Sequence, residues 1–242
     1  MEILRGPSMT EFKQLEQVLH AAESGATVVT SNTRAARNLR RAHSERQMAA
    51  KLEAWQSPDI LPWSAWLRRL WQEYCFHSGK QVVLLDEYQE KLVWERIVGE
   101  ERRPLDAAAL AQQCVRAWKL LHAFQIPLEQ APFRRKQDTA TFWRWLEKYR
   151  DRCEKNEWMD DARLPNAVLG TALQLPEAAR LIFWGFDSLT PQQEAFIAAL
   201  KKNGLQCDFA TLDRDAARPQ RIGLEDTRTE LRIAALWARS IL

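Results

Sequence analysis

The turn after the first strand-like segment carries side chains that could bind phosphate. Residues 27–30 (Thr-Val-Val-Thr) are typical of a short β-strand, and Ser31, Asn32 and Thr33 follow directly. Hydroxyl and amide groups at the start of a helix can donate hydrogen bonds to phosphate oxygens, together with the free backbone N–H groups there. Four arginines follow on the same predicted helix: Arg34, Arg37, Arg40 and Arg41. The segment therefore predicts contact with a nucleic-acid backbone; the alternative is an arginine-rich face that is simply solvated.

A working nucleotide-binding loop is not predicted at this turn. Such a loop needs the pattern G-x-x-x-x-G-K-[ST], in which glycines let backbone N–H groups approach the phosphates and a lysine reaches the β- and γ-oxygens. No lysine lies between Lys13 and Lys51, and none of the eight glycines forms a G-x-G pair. We therefore expect no ATP, magnesium or other cofactor to be held by this chain.

The pair Asp86-Glu87 follows an apolar run and has two interpretations. It imitates a strand-terminal acidic pair, in which one carboxylate holds Mg²⁺ and the next activates water. Alternatively, Asp86 caps a helix and Gln89 reaches back to it, as in a capping box. The cap is favoured because the segment continues into a helical apolar pattern without a turn residue. A Mg²⁺-binding carboxylate also has little purpose without a phosphate-binding lysine.

A second segment has the strand–turn–helix order that an acidic motif of this kind requires. Residues 181–184 (Leu-Ile-Phe-Trp) predict a buried strand, and the next helix begins with a capping box over 190–193. Between them, Gly185 and Phe186 occupy the two acidic positions, and Asp187 comes one residue late. Neither a glycine nor a phenylalanine side chain can coordinate Mg²⁺. We therefore interpret this segment as a strand–turn–helix motif that has lost its Mg²⁺-binding side chains.

Four segments, taken together and in their order along the chain, resemble the N-terminal region of AddB/RecC-type proteins. These proteins are the helicase-like subunits of bacterial double-strand-break repair nucleases. More narrowly, the four segments resemble the "probable DNA repair protein" branch of the PD-(D/E)XK exonucleases. The segments are 27–41, 58–67, 89–97 and 184–193. The resemblance implies an α/β fold: the RecA-like (P-loop NTPase-like) parallel sheet of an inactivated superfamily 1 helicase domain, with a large all-helical insertion. It implies that residues 1–80 and 178–242 form the α/β domain and residues 81–177 the insertion.

The resemblance also implies a function and partners. We expect a non-catalytic helicase-like module that binds DNA, as single strands or duplex ends, and docks an AddA/RecB-like helicase–nuclease subunit. A C-terminal nuclease region is expected beyond this chain, with ATP and magnesium on the partner subunit or on the missing domain. Two alternatives stay open. One is an active ATP-dependent helicase domain that uses Asp86 and Glu87; the other is a protein-interaction scaffold without DNA affinity.

Composition and periodicity set the remaining expectations. The net charge is only +3, so a nucleic-acid site must come from local clustering of arginines. The four cysteines form no CxxC pair and no apolar run is long enough to span a membrane, so we expect reduced thiols, no membrane association and a cytoplasmic protein. Ser64 is predicted to cap one helix, and Thr227 with Glu230 to open the last. That last helix carries apolar residues that require a partner surface.

Overall fold

The computed structural model describes residues 9–101, 106–127, 137–171, 180–210 and 223–241. In these ranges the helices are α1 (Met9–Glu23), α2 (Thr33–Ala49), α3 (Trp63–Ser78), α4 (Glu87–Glu101), α5 (Ala107–Ala123), α6 (Gln137–Lys155), α7 (Leu164–Gly170), α8 (Pro191–Lys202) and α9 (Thr227–Ile241). The strands are β1 (Thr27–Thr30), β2 (Ile60–Pro62), β3 (Val83–Leu84), β4 (Trp158–Met159), β5 (Arg180–Trp184) and β6 (Gln206–Ala210).

Four strands form one parallel sheet in the order β2-β1-β5-β6. β1 and β5 pair in the register Thr27 with Leu181 and Thr30 with Trp184, although residues 31–179 separate them in sequence. The predicted α/β class with a parallel sheet is therefore confirmed, and most of the chain is helical. β3 and β4 form a separate two-stranded parallel sheet.

Helices cover both faces of the four-stranded sheet, as a buried parallel sheet requires. On one face, α1 and α2 pack through Leu19 and Leu39 against Val28 and Ile182. On the other face, side chains of α3, α7 and α8 pack against Val29, Leu181 and Phe183; they include Trp66, Leu67, Val168, Phe196 and Leu200. Alternate residues of the central strands thus enter opposite cores, which explains why β5 is apolar over residues 181–184.

The helices α4, α5 and α6 enclose a core of their own. Trp94 lies at its centre and stacks on Tyr149, with ring centroids 4.2 Å apart. The short helix α7 belongs instead to the core beside the sheet, where Leu164 and Val168 are buried. The division into residues 1–80 with 178–242 and residues 81–177 stays a prediction, and residue 178 lies outside the described residues.

The order in which strands are added to the sheet changes direction between the neighbouring strands β1 and β5. From β1 it passes through α2 to β2 on one side, whereas from β5 it passes through α8 to β6 on the other side. The two connecting helices lie on opposite faces, so the segments that follow β1 and β5 leave the sheet towards opposite sides. In open α/β sheets this switch point is where ligands bind.

Two of the four predicted helix caps are confirmed, and two are wrong. Asp86 with Gln89, and Thr190 with Gln193, form reciprocal capping boxes. α3 begins one residue before Ser64, at Trp63, and the preceding Pro62 makes no side-chain cap. α9 begins at Thr227 itself, because Asp226 accepts the hydrogen bond from the Thr229 N–H at 2.6 Å. In both errors the predicted cap is a residue inside the helix: Ser64 is the second residue of α3, and Thr227 is the first residue of α9.

Glu90 of α4 is an acidic side chain that folding buries. It is only 2% exposed, and its Oε2 lies 3.9 Å from the Lys119 ammonium nitrogen. Its Oε1 has no hydrogen-bond partner in the described residues. Burial, and then the negative charge of the fully buried Asp160, raise the pKa of Glu90 to about 7. The Asp160 carboxylate, unlike Glu90 Oε1, has hydrogen-bond partners: it accepts from Tyr149 at 3.1 Å and from the Arg163 guanidinium at 2.7 Å.

The stability of the protein should therefore fall between pH 4.5 and pH 7 because of Glu90. The folded state holds this proton more tightly than the unfolded chain does, so raising the pH through that window costs up to about 3 kcal/mol. Glu90→Gln removes the titration. Its free energy of unfolding in urea, relative to the native protein, should rise from about pH 5 to about pH 8. Glu154→Gln, at an exposed position on α6, is the control, and an equal difference at both pH values for Glu90→Gln would contradict the assignment.

Candidate nucleic-acid interface

The turns after β1 and β5 are in direct contact at the carboxyl edge of the sheet. The backbone N–H of Ser31 donates to the Trp184 carbonyl at 3.1 Å. Gly185 has φ +73°, a conformation that side chains disfavour, and a Cβ placed on it would lie 3.4 Å from Ser31 Oγ. Glycine thus allows the chain to leave β5 sharply while the β1 turn passes close by. The two segments singled out in the sequence meet at one place.

A cleft of about 360 Å³ opens beside this contact, at the switch point of the sheet. Its polar lining comes from Ser31, Asn32, Asn38 and Asp187, and its floor includes Trp184 and Gly185. Small or apolar side chains of α1 and α2 complete the walls. The cleft is therefore only partly polar and partly open to solvent.

The predicted turn residues Ser31, Asn32 and Thr33 lie at the N-terminus of α2, and part of their hydrogen bonding is used to form it. Asn32 is the N-cap, and its Oδ1 accepts from the Ala35 N–H at 2.9 Å. Its Nδ2 donates to Ser31 Oγ at 3.1 Å. Thr33 is exposed as the first residue of the helix. The first-turn N–H groups point towards the carboxyl edge of the sheet, as a strand–turn–helix unit requires.

The four predicted arginines of α2 do not share one role. At 100° per residue, Arg34, Arg37 and Arg41 lie opposite the buried face of Ala36 and Leu39. Arg41 forms an exposed ion pair with Glu45 at 3.3 Å. Arg34 and Arg37 are exposed and have no ion-pair partner among the described residues. We name Arg34, Arg37 and Arg41 the arginine face of α2.

Arg40 is separate from this face. Its guanidinium donates to the carbonyl of Ile60, at the start of β2. The bond ties α2 to the strand that follows it in the chain. Arg40, which the sequence placed with the phosphate-binding group, is therefore engaged within the fold.

Phe186, the residue after Gly185, is part of the core. It is 8% exposed and enters the core between the sheet and helices α3 and α8. Its ring centroid lies 6.3 Å from that of Trp63 and 6.0 Å from that of Phe183. Asp187, the next residue, is exposed and lines the cleft. Of the two residues after Gly185, only Asp187 thus lines the cleft.

The other acidic pair lies away from the four-stranded sheet. Asp86 Oδ1 accepts from the Gln89 N–H at 2.7 Å, and the Asp86 N–H donates to Gln89 Oε1 at 2.9 Å. The preceding strand β3 pairs with β4 in the small sheet. Glu87 is exposed in the first turn of α4. Here the capping interpretation is confirmed, because the Asp86 carboxylate accepts a hydrogen bond from the first turn of α4.

Asn38 is a cleft residue that sequence reasoning missed. It lies on α2 one turn after Arg34, is exposed, and borders the cleft. The only signal in the sequence was its position within the arginine-rich helix, which does not distinguish it from an ordinary surface residue. The cleft appears only when α2 is packed beside the turn after β5.

The chain matches no protein-family model, and a search of the curated proteins found no similar protein. Across the described ranges, no three or more His, Cys, Asp or Glu side chains come together as a metal site would require. None of the helices in those ranges combines the length and apolar character needed to cross a membrane. The four cysteines are present as free thiols.

Phe186→Ala should destabilise the protein by about 3 kcal/mol, because it removes a buried ring and leaves a cavity. Phe186→Glu should cost more, since it also buries a charge without a partner. Chemical denaturation monitored by circular dichroism measures both changes. Phe76→Ala is the matched control, because Phe76 is 85% exposed and should change stability little. A Phe186→Glu protein as stable as the native one would contradict the packing argument.

Proposed function

We propose that this chain is a non-catalytic helicase-like module of a DNA repair exonuclease/helicase complex, in which it binds DNA and docks a helicase–nuclease partner. The carrying observation is the pair Arg34 and Arg37. These guanidiniums are exposed, have no ion-pair partner in the described residues and lie on the helix that begins at the switch point. Unpaired arginines on one face of a helix are suited to the phosphates of a DNA strand.

A RecA-like helicase core is the fold that best accounts for the sheet. The support is a parallel sheet with helices on both faces, a strand–turn–helix unit at its first strand, and a second such unit beside it. The helical core of α4, α5 and α6 between β2 and β5 is consistent with an insertion into such a domain. In this proposal the PD-(D/E)XK nuclease region lies outside the chain and the complex acts in the cytoplasm in double-strand-break repair.

An inactive nucleotide site is part of the proposal. Its support is that Phe186 is in the core, that Gly185 has no side chain, and that Asp86 caps α4. No lysine is present in the turn between β1 and α2. ATP and magnesium would then be bound by the partner subunit.

Docking of an AddA/RecB-like partner is supported by the surface of α9. Leu231 and Leu236 on this helix are each more than half exposed. Such a helix gains little stability alone in water and is expected to pack against another surface. The same exposed side chains are what a protein-interaction scaffold without DNA affinity would present.

DNA binding is tested with a double substitution on the arginine face. Arg34→Ala with Arg37→Ala should weaken binding of a labelled single strand and reduce the slope of log K against log salt by about 1.4, because two phosphate contacts are lost. Fluorescence anisotropy over a range of salt concentrations measures both quantities. Arg96→Ala with Arg116→Ala removes the same charge from exposed positions on α4 and α5 and should leave the slope nearly unchanged.

Equal slopes for the two double variants would reject the arginine face as the DNA site. If the native protein binds no DNA even at low salt, the scaffold alternative is correct and the proposed DNA-binding function is wrong. Circular dichroism of each variant establishes that the fold is intact.

Isothermal titration calorimetry with magnesium-ATP tests the inactive site. We expect no saturable heat, because the carboxylates and the lysine of a working site are missing. Asp86→Ala should lower stability by about 1 kcal/mol as the loss of a helix cap and change nothing else. Saturable ATP binding that disappears in Asp86→Ala would support the active helicase alternative instead.

A further inference from the structure

The cleft at the switch point contains two polar side chains that the fold does not use. Asp187 and Asn38 both line it, and both are exposed. Neither has a hydrogen-bond or ion-pair partner in the described part of the chain. By contrast, Asn32 in the same cleft is occupied as the cap of α2. The cleft therefore offers a free carboxylate and a free amide on opposing elements.

The chemistry of Asp187 decides what kind of group the cleft accepts. An ionised carboxylate only accepts hydrogen bonds, and it repels a phosphate. Its two oxygens suit a flat group that presents two adjacent N–H donors. Among the DNA bases, guanine alone has such an edge, formed by N1–H and the exocyclic amine. The Asn38 amide can donate as well as accept, so it can also bind the acceptor atoms of a base.

The cleft is shaped for a base and not for a duplex. Its volume of about 360 Å³ is in the range of small-ligand sites. Gly185 adds no side chain at its floor, so the space next to Ser31 stays open. In a duplex the N1–H and amine of guanine are already paired with cytosine, so only an unpaired base can present them to Asp187.

The arginine face of α2 adjoins the cleft. Around the helix, Asn38 lies about 40° from Arg34 on one side and about 40° from Ala42 on the other, by the geometry of 100° per residue. Ala42 lines the cleft, and Arg34 belongs to the arginine face. A strand whose phosphates contact Arg34 and Arg37 would therefore pass the mouth of the cleft and could turn one base into it.

We infer that the cleft binds one unstacked guanine of single-stranded DNA, through the carboxylate of Asp187 and the amide of Asn38. The inference rests on the proposed DNA-binding function and adds a base preference to it. Phosphate contacts by the arginine face supply affinity for any sequence, whereas the cleft supplies discrimination.

The test compares two labelled oligothymidylates of equal length, one of which has a single central guanine, by fluorescence anisotropy with the full chain. The native protein should bind the guanine-containing strand about tenfold more tightly, the effect of one good bidentate base contact. An oligonucleotide with inosine in place of guanine lacks the exocyclic amine and should lose most of this difference.

Asp187→Asn and Asn38→Ala should each remove or strongly reduce the preference while oligothymidylate binding stays at least as tight for Asp187→Asn. Asp151→Asn, the same change at an exposed position on α6, should keep the tenfold ratio of the native protein. Arg34→Ala with Arg37→Ala should weaken both oligonucleotides equally and keep the ratio. Both cleft positions are exposed, and the thermal unfolding of each variant shows whether it is folded.

Equal affinity for the two oligonucleotides, with salt-dependent binding retained, overturns the guanine site and leaves the proposed function standing. A preference that persists in both Asp187→Asn and Asn38→Ala places the base elsewhere and overturns the inference as well. Failure to bind either strand would reject the proposed function itself.

Discussion

The parallel pairing of β1 with β5 is the constraint on which the rest of the structure depends. It joins Thr27–Thr30 to the segment from Leu181 to Trp184, and residues 31–179 lie between them in sequence. Closing so long a loop costs entropy, and apolar burial on both faces of the sheet offsets that cost. Once the pair has formed, the turn at Ser31 meets the turn at Gly185. The cleft, the start of α2 and the switch point all follow from that contact.

The buried position of Phe186 suits an apolar ring and would be unfavourable for a carboxylate. A carboxylate at this point would need water or a metal ion for its charge, whereas a phenyl ring contributes buried apolar area to the core of Trp63 and Phe183. The neighbouring Asp187 faces solvent and lines the cleft. Two adjacent residues therefore divide the roles: one stabilises the fold, and the other remains free for binding.

Local patterns predicted β1, β5 and the starts of α4 and α8 well, because capping boxes and apolar runs act within a few residues. The Asp86–Gln89 and Thr190–Gln193 pairs are examples. The same reasoning misplaced the cap of α3 at Ser64, because serine is a preferred N-cap residue and proline has no side-chain group that can cap a helix. In the structure Pro62 holds that position without a side-chain hydrogen bond. Cap preference is a propensity of about 1 kcal/mol, and the packing of Trp63 and Trp66 can shift a helix start by two residues.

The sequence by itself determined the β1 and β5 segments, the absence of a phosphate-binding lysine after β1 and the arginine-rich composition of α2, because these depend on residue types and short spacings. Only the tertiary structure decided which arginines are available. Arg40 is turned to the backbone of β2, Arg41 is paired, and Arg34 and Arg37 are free in the described part of the chain. It also decided that Asn38 and Asp187 share a cleft. These are distances between elements far apart in sequence, set by strand pairing and by helix packing, and no local pattern encodes them.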